Sequence, residues 1–183
     1  IEDGILKIIA KKESFTDQGY TKQYTSARLN SKYSFTYGRV EVRAKLPFGV
    51  GTWPAIWTLG KNINENGGYW DTQGYGTTGW PACGEIDIME HWGTNQNYVQ
   101  SAIHTPSSFG GTVNLGGQSI PTASTEFHDY TFVWTPDKLV FSVDGNIHYT
   151  YNPLVKDNTT WPFDADQYLL LNVAIQSVID PTF

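Results

Sequence analysis

Residues Leu139–Tyr151 read LVFSVDGNIHYTY, and this stretch decides the fold class. Two runs rich in β-branched and aromatic residues, Leu139–Val143 and Ile147–Tyr151, flank the dipeptide Asp144-Gly145. Such runs on both sides of Asp-Gly predict a β-hairpin, because glycine tolerates the positive φ that a primed turn requires. The segment therefore predicts two antiparallel strands joined by a tight turn.

Strand-like patterns continue on both sides of this hairpin. Alternating or β-branched runs cover Ile5–Lys12, Tyr37–Leu46 and Phe127–Trp134, and the apolar run Tyr168–Ile175 predicts a buried strand. With 18 glycines, 9 prolines and no long helical periodicity, the chain predicts an all-β fold, an antiparallel sandwich or jelly roll. The longest irregular stretch is Lys61–Cys83, and loops of that length are more often functional than idle.

Length and composition narrow the class of protein further. The 183 residues predict one domain, and an aromatic content of 15% argues against disorder. No apolar run approaches the roughly 20 residues of a membrane-spanning helix. The net charge of -6 repels phosphate backbones, so nucleic acid is not an expected partner. The single cysteine, Cys83, excludes an internal disulfide and a cysteine metal cluster, and it is expected to be a buried thiol.

Three acids stand close together in Gly84–Gly93, which reads GEIDIMEHWG. Glu85 and Asp87 share a strand face because side chains alternate with period two, whereas Glu90 would face the other way in a regular strand. A β-bulge at Ile88-Met89 adds one residue and returns Glu90 to the face of the other two acids. We therefore expect three carboxylates on one face of a bulged strand.

Two glutamates in this arrangement fit retaining glycoside hydrolysis, which needs two carboxyl groups about 5 Å apart. Three acids on one face cannot all ionise cheaply, so at least one should hold a proton near neutral pH, as a general acid must. Two other interpretations stay open. The acids could be solvated outer-face residues, or they could be calcium ligands, although calcium prefers loops with mixed carboxylate and carbonyl oxygens.

Five tryptophans lie between residues 53 and 92, around the acids. Exposed indoles beside carboxylates suit a polysaccharide cleft, because the flat C–H faces of sugar rings stack on aromatic rings. The alternative for each of them is an ordinary place in the core. His104 ends a strand-like run, and no second histidine stands at metal-ligand spacing from it. The five are Trp53, Trp57, Trp70, Trp80 and Trp92.

These residues resemble glycoside hydrolase family 16, and their context resembles its bacterial laminarinases, which are endo-1,3-β-glucanases. The segment Glu85–Glu90 looks like the bulged catalytic motif of the family. The likeness extends over most of the chain, through Tyr37–Pro47, Gly51–Gly60, Gly79–Glu85, Trp161–Asp164 and Leu170–Ala174. Membership implies a concanavalin-like β-jelly-roll sandwich of two curved antiparallel sheets, with the cleft on the concave face.

The resemblance also implies roles for single residues. Glu85 is the expected nucleophile, Glu90 the acid/base, and Asp87 the carboxylate that steers their protonation. No cofactor or catalytic metal is implied, and the structural calcium of many members has no assignable ligands in this chain. The expected substrate-binding residues are Trp53, Trp57, Trp80, Trp92 and His104, of which Trp92 is included because the bulged register puts it on the face of Glu90.

The expected activity is hydrolysis within β-1,3-glucan chains. Lys61 is the only lysine or arginine between Phe48 and Phe109, so the cleft should disfavour sulfated sugars and accept a neutral β-glucan. The alternatives are a non-catalytic glucan-binding module or lectin, and a β-agarase. Residues 1–183 are expected to be a single catalytic domain that lacks its terminal strands, monomeric and extracellular, with its signal peptide not present in this chain.

Overall fold

A computed structural model of the chain describes residues 1–176. Strands dominate, and within these residues no helix is long and apolar enough to cross a bilayer. The only α-helix of the described part, α1, spans Tyr69–Thr72. The strands are β1 Lys11–Asp17, β2 Tyr20–Thr25, β3 Arg28–Phe35, β4 Gly38–Ala44, β5 Thr52–Gly60, β6 Glu85–His91, β7 Tyr98–His104, β8 Leu115–Ser119, β9 His128–Trp134, β10 Leu139–Val143, β11 Asn146–Tyr151 and β12 Gln167–Ile175.

The strands form two antiparallel sheets and a separate hairpin. The larger sheet has the order β3-β12-β5-β6-β7-β8, the smaller sheet has the order β11-β10-β9-β4, and β1 pairs with β2. The two sheets share one hydrophobic core, to which the larger contributes Ile86 and Ile103 and the smaller Phe132 and Phe141. All four side chains are fully buried. The predicted all-β jelly roll is therefore confirmed.

The hairpin at Asp144-Gly145 is confirmed in detail. Asp144 has φ 50° and Gly145 has φ 79°, and Val143 pairs directly with Asn146 across the turn. Both turn residues thus have the positive φ of a type I′ turn, which matches the twist of the flanking strands. The Asp144 carboxylate accepts hydrogen bonds from the backbone N–H of Asp129 at 2.9 Å and from Nδ1 of His128 at 2.6 Å.

The remaining strand predictions are confirmed with one exception. Strands β4, β9, β10 and β12 lie within one or two residues of the predicted bounds. The prediction for Ile5–Lys12 is wrong, because the first strand begins only at Lys11. Ile5, Leu6 and Ile9 are exposed, so these side chains of the apolar run lie outside the core of the described residues.

The predicted irregular stretch Lys61–Cys83 is confirmed as a long loop that contains only the short helix α1. It folds over one end of β5 and β12, where it buries Tyr168 and Leu170 in a second, smaller core. Nζ of Lys61 lies 3.3 Å from Oδ2 of Asp166 and 3.9 Å from the centre of the Tyr75 ring, which fixes the start of the loop. At its other end Cys83 is a buried thiol, as expected.

Candidate active site

Strand β6 carries the predicted bulge. Its pairing with β7 runs from Asp87 opposite Ala102 to Glu90 opposite Gln100, so three steps on β6 match two on β7. The pairing with β5 slips at the same place, from Trp57 opposite Asp87 to Ile56 opposite Met89. One extra residue therefore lies at Ile88-Met89, as the sequence predicted.

The bulge brings the three acids to one face of the larger sheet. Glu85 pairs with Leu59, Asp87 with Trp57 and Glu90 with Ala55, and directly paired residues project to the same side. The neighbouring Ile86 and Met89 project into the core between the sheets. The face with the acids is the one that does not contact the smaller sheet, so it is the cleft face. Asp87 is 3% exposed and Glu90 9% exposed.

Two indole N–H groups hold the glutamates. Nε1 of Trp53, on β5, donates a hydrogen bond to Oε1 of Glu90 at 3.1 Å. Nε1 of Trp80, in the loop Lys61–Cys83, donates to Oε2 of Glu85 at 2.9 Å. The ring of Trp92 stacks on that of Trp53 with 5.8 Å between centroids. Three predicted tryptophans thus lie at the acids, and two of them bond to the acids directly.

The other two predicted residues complete the group. Nε2 of His104, at the end of β7, lies 3.1 Å from Oδ2 of Asp87 and 3.7 Å from Oε1 of Glu85. Trp57 shares the face of Asp87, and its Nε1 donates to Oδ1 of Asn172 at 2.7 Å. The structure therefore brings all eight sequence-predicted residues together. Trp70, the one tryptophan of the segment that was not predicted to bind substrate, instead packs against the smaller core.

Burial and mutual repulsion disturb the ionisation of the acids. The pKa of Glu85 is raised to about 8, first by burial and then by the charge of Asp87, while His104 and the Trp80 N–H oppose the rise. The pKa of Glu90 is also raised to about 8 by burial and by Asp87, against the Trp53 N–H and His104. Burial raises the pKa of Asp87. Since one ionised carboxylate also makes the next harder to ionise, the group keeps at least one proton near neutral pH.

One trio of side chains here has the spacing of a metal site. Ligand atoms of Glu85, Asp87 and His104 all lie within 4.8 Å of one another. The same carboxylates are the ones positioned for acid–base and nucleophilic work, so a cation bound by them would neutralise that chemistry. The arrangement suits nucleophilic substitution at the anomeric carbon of a sugar, in which one carboxylate attacks and the other carboxyl group transfers a proton.

A family comparison decides the classification. The family model described as "Glycosyl hydrolases family 16" matches residues 5–175. The chain belongs to glycosyl hydrolase family 16.

Within family 16 the chain is similar to proteins with different named substrates. It is 40% identical to a β-glucanase from Rhodothermus marinus, over 97% of this chain and 63% of that protein. It is 39% identical to a keratan-sulfate endo-1,4-β-galactosidase from Sphingobacterium multivorum, over 78% of this chain and 32% of that protein. The chain thus spans about two thirds and one third of these two relatives.

A solved structure has the same fold. A variant of LamA from Z. galactanivorans, crystallised with laminaritriose and laminaritetraose, is 43% identical and superposes with a TM-score of 0.84. The match covers 95% of this chain and 71% of that chain.

Two cleft residues of this family 16 chain were missed by sequence reasoning. Asn172 and Arg28 pair with each other across β12 and β3, in line with the row of Glu90. They line an open cavity of about 400 Å³ beside Trp57, over whose ring the Arg28 guanidinium lies at 5.0 Å. Both are more than fifty residues away from the acids along the sequence, so no local pattern could reveal them.

Arg28 also revises the charge argument for the cleft. The sequence window from Phe48 to Phe109 contained only Lys61 as a basic residue, but Arg28 reaches the cleft from outside that window. Nη1 of Arg28 lies 3.0 Å from Oε1 of Glu65, so the positive charge is paired within the protein. The positive charge that Arg28 brings to the described part of the cleft is therefore neutralised by an acid from the loop Lys61–Cys83.

Proposed function

We propose that the chain is an endo-acting, retaining β-1,3-glucanase that uses Glu85 as nucleophile and Glu90 as acid/base. The observation that carries the proposal is the bulge at Ile88-Met89, because it turns both glutamates to the cleft face on either side of Asp87. Each glutamate also has its own indole donor, so the two carboxyls have different surroundings. Different surroundings are what two carboxyls with different roles require.

The reaction proceeds by double displacement. Glu90 donates its proton to the glycosidic oxygen while a carboxylate oxygen of Glu85 attacks the anomeric carbon, and the bond to the leaving sugar breaks. A covalent glycosyl–Glu85 ester results. Glu90, now ionised, then takes a proton from water, whose oxygen attacks the anomeric carbon and releases Glu85. Two inversions leave the product with the configuration of the substrate.

Asp87 and His104 have supporting roles in this scheme. Asp87 lies between the glutamates in the strand, and its charge raises the pKa of both. Once ionised, Asp87 therefore favours the protonated form of Glu90 that the first step needs, while it also makes Glu85 harder to ionise. His104 lies near both Asp87 and Glu85, where a ring N–H would offset the negative charge on the nucleophile.

A neutral β-glucan is the proposed substrate. The similar LamA variant was crystallised with laminaritriose and laminaritetraose, and the cleft offers Trp53, Trp92 and Trp57 as an aromatic row for sugar rings. The only cation that we find in the described cleft, Arg28, is paired with Glu65, so it offers a sulfate group little free charge. Because a glucan polymer does not enter a cell intact, we further propose an extracellular location, and a monomer suffices for this site.

The decisive experiment measures reducing sugar released from laminarin by Glu85→Gln, Glu90→Gln and the exposed control Glu126→Gln. We expect no detectable hydrolysis by the first two, with laminarin binding retained, and full activity in the control. Hydrolysis by either active-site variant removes the role assigned to that glutamate. Laminarin binding without hydrolysis by the unaltered chain would instead support the glucan-binding module, and release from agarose the β-agarase.

Azide rescue separates the two roles. Glycine at position 85 leaves room for azide to attack the anomeric carbon once, so Glu85→Gly should give an α-glycosyl azide. Glycine at position 90 leaves Glu85 to form the ester, so azide should yield a β-glycosyl azide from activated substrates. The same anomer from both variants would contradict the assignment.

A further inference from the structure

The bulge in β6 leaves Ile88 without a register partner on either β5 or β7. Ile88 and Met89, the residues at the bulge, are 2% and 1% exposed, so water does not reach this part of the strand freely. The carbonyl oxygen of Ile88 instead accepts a hydrogen bond of 2.7 Å from Oγ of Ser101 on β7. Ser101 is itself completely buried.

The Ser101 hydroxyl is in turn held from the opposite sheet. Its one proton goes to Ile88, so the contact of 2.9 Å with Nε2 of His148 must have the histidine as donor. Nδ1 of the neutral ring then accepts from Nε2 of Gln118 at 3.1 Å, and the same amide donates to the carbonyl of Asn146 at 3.3 Å. Burial lowers the pKa of His148, which keeps the ring neutral.

These bonds form a chain with one direction throughout. It runs from Gln118 on β8 to His148 on β11, then to Ser101 on β7, and it ends at the Ile88 carbonyl on β6. It therefore ties the bulge to the smaller sheet across the core. The only tautomer of His148 that fits these bonds is the one protonated on Nε2.

We propose that Ser101, oriented by His148 and Gln118, is a positioning residue that holds the bulge and thereby sets the place of Glu90 relative to Glu85. The proposal rests on the catalytic roles proposed above for the two glutamates. The side chains Ser101, His148 and Gln118 project between the sheets and touch neither carboxyl, so they act only through the backbone of β6.

The physical reason lies in the two registers open to the strand. Without the extra residue, the period of two would turn Glu90 to the core face, away from Glu85. The bulged register succeeds only if the carbonyl that leaves the ladder finds a donor, because a buried carbonyl without one is costly. Ser101 supplies that donor at the bulge itself, and so favours the register that aligns the acids.

The test compares Ser101→Ala with two variants of His148. Gln can place an amide donor where Nε2 of histidine lies, whereas Asn reaches only as far as Nδ1, so His148→Gln should keep the chain and His148→Asn should break it. We expect Ser101→Ala and His148→Asn to lower kcat on laminarin at least tenfold with KM changed less than threefold, and to shift the pH profile of kcat. His148→Gln should restore most of the lost kcat.

A control variant separates positioning from general stability. His128→Asn removes a histidine of the smaller sheet that bonds Thr122 and Asp144 but does not contact the bulge. It should lower the melting temperature without changing kcat. If Ser101→Ala and His148→Asn behave as this control does, with a lower melting temperature but unchanged kcat and pH profile, the positioning role is overturned.

Hydrogen exchange supplies a readout that does not depend on activity. In Ser101→Ala, the amides of the peptide covering residues 85–91 should exchange at least tenfold faster than in the unaltered protein, while those of β9 and β10 stay unchanged. Unchanged exchange at the bulge contradicts the proposal even if the chain proves to have another activity. Conversely, if the unaltered protein does not hydrolyse laminarin, the β-glucanase assignment fails, but hydrogen exchange at the bulge still tests whether Ser101 holds it.

Discussion

Nε1 of Trp53 donates a hydrogen bond of 3.1 Å to Oε1 of Glu90. Burial raises the pKa of this carboxyl, and the hydrogen bond from Trp53 opposes that rise. The contact has a counterpart on the other glutamate, where Nε1 of Trp80 donates to Oε2 of Glu85. The two indoles come from different parts of the fold, one from strand β5 and one from the loop Lys61–Cys83. Each glutamate can therefore be tuned by itself.

Removing the first donor should move the basic limb of the pH profile. In Trp53→Phe, Glu90 loses an N–H that stabilises its ionised form, so its pKa rises and activity persists to higher pH. We expect the basic limb of kcat to shift upward by about one pH unit, the scale of one hydrogen bond to a charged group. Trp57→Phe is the matched control, because its indole donates to Asn172, and its basic limb should not move.

Removing the second donor should move the opposite limb. In Trp80→Phe, Glu85 loses the N–H that favours its carboxylate, so the nucleophile ionises only at higher pH. The acid limb of kcat/KM should rise by about one pH unit while the basic limb stays in place. A shift of the basic limb in this variant would show that the roles of Glu85 and Glu90 are exchanged.

The buried acids should make the protein less stable as pH rises. The pKa of Asp87 is raised to about 8 in the folded chain from an ordinary value near 4, so between these pH values the folded state binds more protons than the unfolded state. Stability therefore falls with rising pH in this window. At pH 8, Asp87→Asn should have a free energy of unfolding about 1–3 kcal/mol higher than that of the unaltered protein, and it should unfold at a higher temperature. Near pH 4 the two proteins should differ little.

Melting curves recorded by circular dichroism from pH 4 to pH 8 provide the measurement. A gain of 1 kcal/mol corresponds to a rise of about 2–4 °C for a domain of this size. A difference between the two proteins that is the same at both ends of the range would contradict the origin assigned to it.

Asp144 should behave in the opposite way. Partial burial raises the pKa of this turn carboxyl, but hydrogen bonds from the Asp129 N–H and from His128 outweigh it, so that the pKa is lowered overall. Its contribution to stability is therefore present above its ordinary pKa near 4 and is lost as pH falls below it. Asp144→Asn should lower the melting temperature by a few degrees at pH 7, and this difference from the unaltered protein should disappear near pH 3. Laminarin hydrolysis should stay unchanged, because the hairpin belongs to the smaller sheet.

Features set by neighbouring residues could be predicted from the sequence. The turn at Asp144-Gly145 follows from the φ preferences of two residues, and the shared face of Glu85 and Asp87 follows from the period of a strand. The strand predicted at Ile5–Lys12 shows the limit of such reasoning. Its apolar residues produce a strand only where a core face is available, and Ile5, Leu6 and Ile9 are exposed in the described structure.

Other features depend on residues that are distant in sequence. Arg28, Asn172 and Trp57 meet only because β3, β12 and β5 are neighbours in the larger sheet, and that order is not written in any local pattern. The same holds for His148, whose bond to Ser101 crosses the core. The first contacts depend on the strand order within the larger sheet, and the bond between His148 and Ser101 depends on how the two sheets pack.

The sequence by itself determined the strand content, the tight hairpin, the family likeness and the spacing of the three acids, because each depends on residues that are close together along the chain. Only the tertiary structure decided which donor each acid receives, how deeply it is buried and how far its pKa rises. Those quantities depend on the dielectric surroundings and on partners such as Trp80 and His104, which are supplied by a loop and by a neighbouring strand.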